Sequence, residues 1–139
     1  MSTFPIGHKP NGTPYTVFLI DDSLTAREIL KRILLSLQFK IIDEADNGEI
    51  AINKITASKM APDFIFIDME MPLMDGIETI KRIKPILQSS RIIMVTAHGE
   101  KEMVTELLKL GVNGYIKKPY DRDTVVKRVA GIVGRPFQE

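Results

Sequence analysis

Phe64-Ile65-Phe66-Ile67-Asp68-Met69-Glu70-Met71-Pro72 decides how this chain folds. Its first four residues form an unbroken apolar run, too short for a helix and rich in aromatic and β-branched side chains. Such a run predicts a strand buried on both faces. An acid, Asp68, stands where the run stops. Outward from here the pattern repeats. Val17–Ile20 is a second apolar run, ending in Asp21-Asp22. Arg91–Val95 reads as a strand ending in Thr96-Ala97-His98, and Gly114–Ile116 as one ending in Lys117-Lys118-Pro119. Lys40–Asp43 is a shorter strand candidate.

Helical patterns separate these runs. Ala26, Ile29, Leu30, Ile33, Leu34 and Leu37 line one helix face, with Ser23 as its N-cap. Asn47–Ser58 is a second helix, entered through Asn47-Gly48. Ile77, Ile80, Ile83 and Leu87 mark a third, whose last turn Pro85 must disturb. Met103, Val104, Leu107 and Leu108 mark a fourth, stopped by Gly111. Val125, Val126, Val129, Ile132 and Val133 mark the last, with Asp121 near its start, Gly131 weakening its end and Gly134-Arg135-Pro136 closing it. Alternating strand–helix units predict an α/β fold, a doubly wound five-stranded parallel sheet with helices on both faces. Ligands in such folds bind at the carboxyl ends of the strands.

Composition bounds the chemistry. The 139 residues fit one domain. There is no cysteine, which excludes disulfides, thiolate metal sites and a cysteine nucleophile, and there are only two histidines, His8 and His98, too few for a multi-histidine metal site. A formal net charge of +1 gives no electrostatic reason to expect nucleic acid or an anionic membrane. No apolar run approaches the ~20 residues of a membrane span, and residues 1–14 lack the basic start and apolar stretch of a secretory signal. A cytoplasmic location is the resulting expectation. With Pro5, Pro10, Pro14, Gly7 and Gly12, residues 1–14 read as an irregular or mobile tail. The domain is then expected over 15–134, with a second short tail at 135–139.

The strand ends together carry three carboxylates, a hydroxyl and an ammonium. Clustered carboxylates repel one another and raise one another's pKa, a penalty that a divalent cation removes. An all-oxygen set suits Mg²⁺. A carboxylate that attacks phosphorus gives an acyl phosphate, and the transferred group then needs positive charge and donors around its equatorial oxygens. Lys118 can supply the cation and Thr96 a hydroxyl donor. Taken singly, each has an ordinary role as turn residue, helix cap, strand-end packer or solvated charge. Their coincidence on strands one, three, four and five points to a phosphoryl-transfer site.

Phe18-Leu19-Ile20-Asp21-Asp22-Ser23, Asp68 to Gly76, Met94-Val95-Thr96-Ala97 and Gly114 to Tyr120 resemble the receiver domain of two-component response regulators, of the CheY-like single-domain kind. The resemblance runs from Thr16 to about Val133. It implies the (βα)5 flavodoxin-like strand order 2-1-3-4-5, for which the general rule on doubly wound sheets itself takes CheY as an example. It implies Asp68 as phosphoacceptor, charged by a sensor histidine kinase or phosphotransfer protein. Asp22, Asp68 and the Glu70 backbone carbonyl are implied as direct Mg²⁺ ligands, with Asp21 acting through water. Thr96, Ala97 and Lys118 are implied to hold the phosphoryl group, with Thr96 and Tyr115 as the switch pair and Pro119 following a cis bond. Successive strand side chains face opposite ways, so only one of Lys117 and Lys118 can aim at the site. The family's lysine directly precedes proline, which selects Lys118.

Two further positions tune chemistry in this family and are held here by Glu70 and His98. Glu70 is expected either to alter phosphoryl lifetime or small-donor access by charge, or to face solvent without kinetic effect. His98 is given no proton-transfer role. The downstream protein partner is expected on the face of the fourth helix, fifth strand and last helix, roughly residues 99–133, and the output is left open between a flagellar motor, onward relay of phosphate and a phosphate sink. The expected state is a monomer that binds neither nucleic acid nor membrane, and that catalyses only its own phosphorylation and dephosphorylation. Taken as a whole protein, the chain leaves no room for an output domain. The rival is a degenerate receiver that binds protein partners without phosphorylation. A P-loop is absent, a flavin-phosphate loop would be repelled by Asp21-Asp22, and a dehalogenase-type phosphatase would want aspartate where Glu70 stands.

Overall fold

A computed structural model describes residues 4–135. Five strands form one sheet in the order β2-β1-β3-β4-β5, and every pairing is parallel. The strands are β1 (Thr16–Ile20), β2 (Lys40–Ala45), β3 (Phe64–Asp68), β4 (Arg91–Thr96) and β5 (Gly114–Lys117). The helices are α1 (Leu24–Ser36), α2 (Gly48–Ser58), α3 (Gly76–Ile83), α4 (Lys101–Lys109) and α5 (Arg122–Val133).

Period-two alternation divides the strand side chains between two apolar layers. Val17, Leu19, Phe64, Phe66, Ile93, Val95 and Ile116 pack with α1 and α5 through Leu30, Leu34, Val125, Val126 and Val129. Phe18, Ile20, Ile65, Ile67, Ile92 and Met94 pack with α2, α3 and α4 through Ala51, Ile55, Ile80, Ile83 and Leu107. Both faces of the central strands are therefore dry, which is why β1 and β3 read as continuous apolar runs. β1 lies between β2 and β3, so the sheet reverses direction of growth beside it, which is where doubly wound sheets bind ligands, at the carboxyl ends of the strands.

Side-chain caps fix where helices start. Ser23, Asn47, Asp75 and Asp121 each accept from a backbone N–H in the first turn of α1, α2, α3 and α5. α4 has no such side-chain cap, and Leu107 is its one buried residue. α3 stops at Ile83, ahead of Pro85, while Leu87 still reaches the core from the following turn. Among the described residues, no helix is long and apolar enough to cross a membrane.

The N-terminal segment departs from the expected mobile tail. Residues 1–3 and 136–139 lie outside the described residues, but Phe4–Pro14, though irregular, is docked. Ile6 is buried, Gly7 N donates to Leu37 O at 3.0 Å, and Tyr15 N donates to Gly7 O at 2.7 Å. A side chain at Gly7 would strike the Leu37 carbonyl and the Phe39 amide, so only glycine lets the segment lie this close. Arg135 donates to the Phe4 and Pro5 carbonyls and stacks on the Phe4 ring. Proline and glycine content suggested mobility, but one buried isoleucine and these backbone bonds outweigh it.

Candidate functional site

Strand register assembles the site. Ile20 pairs with Ile67, Asp68 with Val95, and Thr96 with Lys117. Residues immediately after β1, at the ends of β3 and β4, and just past β5 therefore share one edge. Asp21, Asp22 and Asp68 each present an oxygen there, all within 4.8 Å of one another. Asp68 is 3% exposed, Asp21 half-buried and Asp22 exposed. The turn that carries Asp21 is held by Ser23 N, which donates to its carboxylate at 2.8 Å, and by Arg27, which donates to its carbonyl and to Glu44. Gly76 lets the loop after β3 return close, since a side chain there would meet the Asp68 carbonyl and Met69 Cα.

Lys118 Nζ lies 2.9 Å from Asp68 Oδ1, and the Lys118–Pro119 bond is cis. Lys117 is exposed, with its side chain against Gly99. The choice between the two lysines thus agrees with the geometry.

The site carries a strained charge balance. Burial pushes Asp68 up to about 6, and the Asp21 charge adds to this while the Lys118 hydrogen bond opposes it. Burial also raises Asp21, against the Ser23 N–H. Burial works against the Lys118 cation, yet the Asp68 hydrogen bond and the surrounding carboxylates outweigh it and raise its pKa. Tyr120, half-buried alongside, is pushed up to about 12 by burial and by the Asp21 and Asp68 charges. Crowded, partly buried oxygens facing a single lysine fit a small, hard divalent cation, which would offset both the burial and the smaller mutual repulsion that raise these carboxyls.

Thr96 is fully buried, and its hydroxyl lies 3.0 Å from Glu70 Oε1 and 3.3 Å from Met69 Sδ. His98 N donates to the same hydroxyl at 3.0 Å. Ala97 N donates to Glu70 Oε1 at 3.3 Å. His98 sits between two acids, Nε2 3.6 Å from Glu70 and Nδ1 3.5 Å from Glu100. Burial would raise Glu70, but donation from Thr96, then the Asp68 and Ala97 contacts, holds its carboxyl below the usual range. Tyr115 is half-buried on β5, with the Arg128 guanidinium 5.3 Å from its ring centre.

Every residue singled out from the sequence lies on this edge or, for Tyr115, on the strand behind it. Three contributions were not legible there. They are the Glu70 side chain reaching Thr96, the Met69 sulfur as a second acceptor, and Tyr120 beside the acids. Its position two after Asp68 marked Glu70 in the sequence, but the direction of a side chain in a loop has no sequence period, so its contact with Thr96 was not legible.

Residues 17–130 match the family model of the response regulator receiver domain. The chain is 35% identical over 129 residues to the chemotaxis protein CheY of Treponema pallidum, spanning 93% of this chain and 90% of that one. It is 35% identical over 115 residues to CheY of Bacillus subtilis, spanning 83% and 94%. Its fold superposes with a TM-score of 0.87 on a chain of the CheX–CheY–BeF3–Mg²⁺ complex from Borrelia burgdorferi, at 35% identity and covering 93% of this chain and 97% of that one. With the acidic pocket, the lysine and the strand order in place, these matches make the chain a member of the response regulator receiver domain family.

Proposed function

We propose that this protein is a phosphorylation-activated switch of a two-component system and that Asp68 is its phosphoacceptor. The observation that carries the reading is the buried Asp68 carboxylate, flanked by Asp21 and Asp22 and hydrogen-bonded to Lys118. An Asp68 oxygen attacks the phosphorus of a phosphohistidine. The new P–O bond forms as the P–N bond breaks, and the imidazole departs with the electron pair. Asp21, Asp22, Asp68 and the Glu70 carbonyl would hold Mg²⁺, which neutralises part of the charge on the transferred group. Lys118, Thr96 and the Ala97 N–H would take its equatorial oxygens.

Thr96 and Tyr115 then bias the face of α4, β5 and α5, where a protein partner binds. An uncapped α4 with little of itself buried supports this choice of moving element. Chemotaxis is the pathway the reading favours, since the relatives above carry that name. The same reading has the chain act in the cytoplasm as a monomer, promoting only its own phosphorylation and dephosphorylation.

Intact mass after incubation with acetyl phosphate and Mg²⁺ tests this. A single phosphoryl adduct is expected in the wild type and none in Asp68→Asn. No adduct from either a small donor or a phosphorylated kinase would overturn it in favour of a phosphorylation-independent binding module. Hydrogen exchange with beryllofluoride should change over residues 99–133, and changes confined to 47–59 would refute the output face.

A further inference from the structure

The Thr96 hydroxyl and the Ala97 N–H are the neutral donors read above as holding the phosphoryl group, and one atom meets both, with the Met69 sulfur a longer second acceptor for the hydroxyl. Glu70 Oε1 stands 3.0 Å from the hydroxyl and 3.3 Å from the amide nitrogen. A hydroxyl has one proton and a backbone amide has one, so neither can fully serve two anions at once. A phosphoryl group on Asp68 would bring oxygens to the donors that Glu70 occupies, and would place a second negative group against it.

We propose that Glu70 is an intramolecular stand-in for a phosphoryl oxygen. In the unmodified protein its carboxylate fills the donor pair of Thr96 and Ala97, and it must leave before those donors can close on the phosphoryl group. This rests on the reading of Asp68 as phosphoacceptor. It differs from a simple charge effect at this position, because it depends on a contact and not on the charge alone.

The structure also supplies the place to which Glu70 goes. His98 Nε2 already lies 3.6 Å from the carboxylate, at the mouth of the site. Oε1 is the atom that meets Thr96, Ala97 and His98, and a rotation about the Glu70 side chain would carry it from the two donors towards the imidazole. The Glu70 backbone, and with it the carbonyl assigned to Mg²⁺, need not move. Meanwhile the Thr96 hydroxyl is kept inside the site before any phosphoryl arrives. Glu70 therefore acts in two directions. It positions the switch hydroxyl and it competes for it.

Competition of this kind lowers apparent affinity by the fraction of molecules whose donors are free. Two charge-assisted hydrogen bonds at a partly open position make that factor roughly three- to ten-fold. Beryllofluoride in the presence of Mg²⁺ is the probe, its binding followed by 19F NMR in wild type, Glu70→Ala and Glu70→Asp. Aspartate keeps the charge but is one methylene too short to reach the hydroxyl. Both variants are expected to bind beryllofluoride roughly three- to ten-fold more tightly than wild type. A gain in Glu70→Ala alone would mean that charge, not contact, is responsible and would overturn the proposal, as would no gain in either.

The Ala97 amide proton gives a second readout without ligand. It is expected to move upfield in both variants as it loses the carboxylate, and an unchanged shift would also overturn the proposal. Should wild type bind no beryllofluoride and take no phosphoryl from acetyl phosphate, the phosphoacceptor reading itself fails, and the competition proposal falls with it. The Ala97 shift would then still report whether Glu70 makes the contact, which keeps the two failures apart.

Discussion

At the amino edge of the sheet, Tyr15 and Phe39 meet the Phe64 ring edge-on, with centroids 5.3 and 5.8 Å away. Arg91 lies over two of these rings, and Asp63 is tied to Thr16 by a backbone and a hydroxyl donor. At the carboxyl edge of the same strands, Asp21, Asp22 and Asp68 crowd together around one lysine. β3 runs from Phe64 to Asp68, and so passes from a buried aromatic cluster to the crowded carboxylates in five residues. The difference teaches that the chemistry here is supported from the far end. Residues that would destabilise a small domain are tolerated because the opposite edge is aromatic, fully paired and covered by the N-terminal segment.

Phe64→Ala is the most severe way to break that comparison. The ring is fully buried among three others, and its loss is expected to destabilise the protein by about 3–5 kcal/mol in urea or thermal unfolding. The molecules that remain folded should still take phosphoryl from acetyl phosphate, because Asp68 keeps its own neighbours.

Asp68→Asn tests the other edge, with the opposite sign. The folded pKa of Asp68 is raised from 3.8 to about 6, so the native state binds the proton more tightly than the unfolded chain. Its contribution is fully present below the unfolded value and is lost as pH rises through about 6. Metal-free wild type should therefore lose stability relative to Asp68→Asn across that window. At neutral pH the asparagine variant should be the more stable by about 1–3 kcal/mol, read from thermal unfolding at a series of pH values. Equal pH profiles would mean the carboxylate cluster carries no such burden.

Lys9→Ala should have the smallest effect. The lysine reaches Asp63 at 3.3 Å from a partly exposed position. Asp63 keeps its bonds to Thr16, so the change is expected to stay within about 1 kcal/mol in the same unfolding assay. A larger loss would show that the N-terminal segment is held by charge and not by Ile6 and its backbone bonds.

The amino edge and the carboxyl edge also differed in how legible they were. Apolar runs gave β1 and β3 to within a residue at their ends, and Ser23, Asn47 and Asp121 marked helix starts, because burial and capping are local demands on residue type. β2 extends to Ala45, beyond the expected Asp43. Its last polar residue, Glu44, is an edge-strand side chain paired with Arg27 and Lys31, and such pairing leaves no apolar signal. Asp21, Asp22, Asp68, Thr96 and Lys118 were legible because each stands at the end of a recognisable strand. The docking of Phe4–Pro14 was not, since it depends on one isoleucine and on the close approach of Gly7 to another part of the chain. Glu70 reaching Thr96 was not, since a loop side chain can turn either way.

Arg135 grips the Phe4 and Pro5 carbonyls just beyond the last residue of α5. α5 is thereby clamped at the end remote from the carboxylate cluster, while its near end follows Lys118, Pro119 and Tyr120 out of β5. A rod fixed at its far end transmits displacement by tilting, with the sweep greatest near the driven end. Any strain entering through Lys118 would then spread along α5 as a graded tilt, felt first at Asp121 and least at Val133.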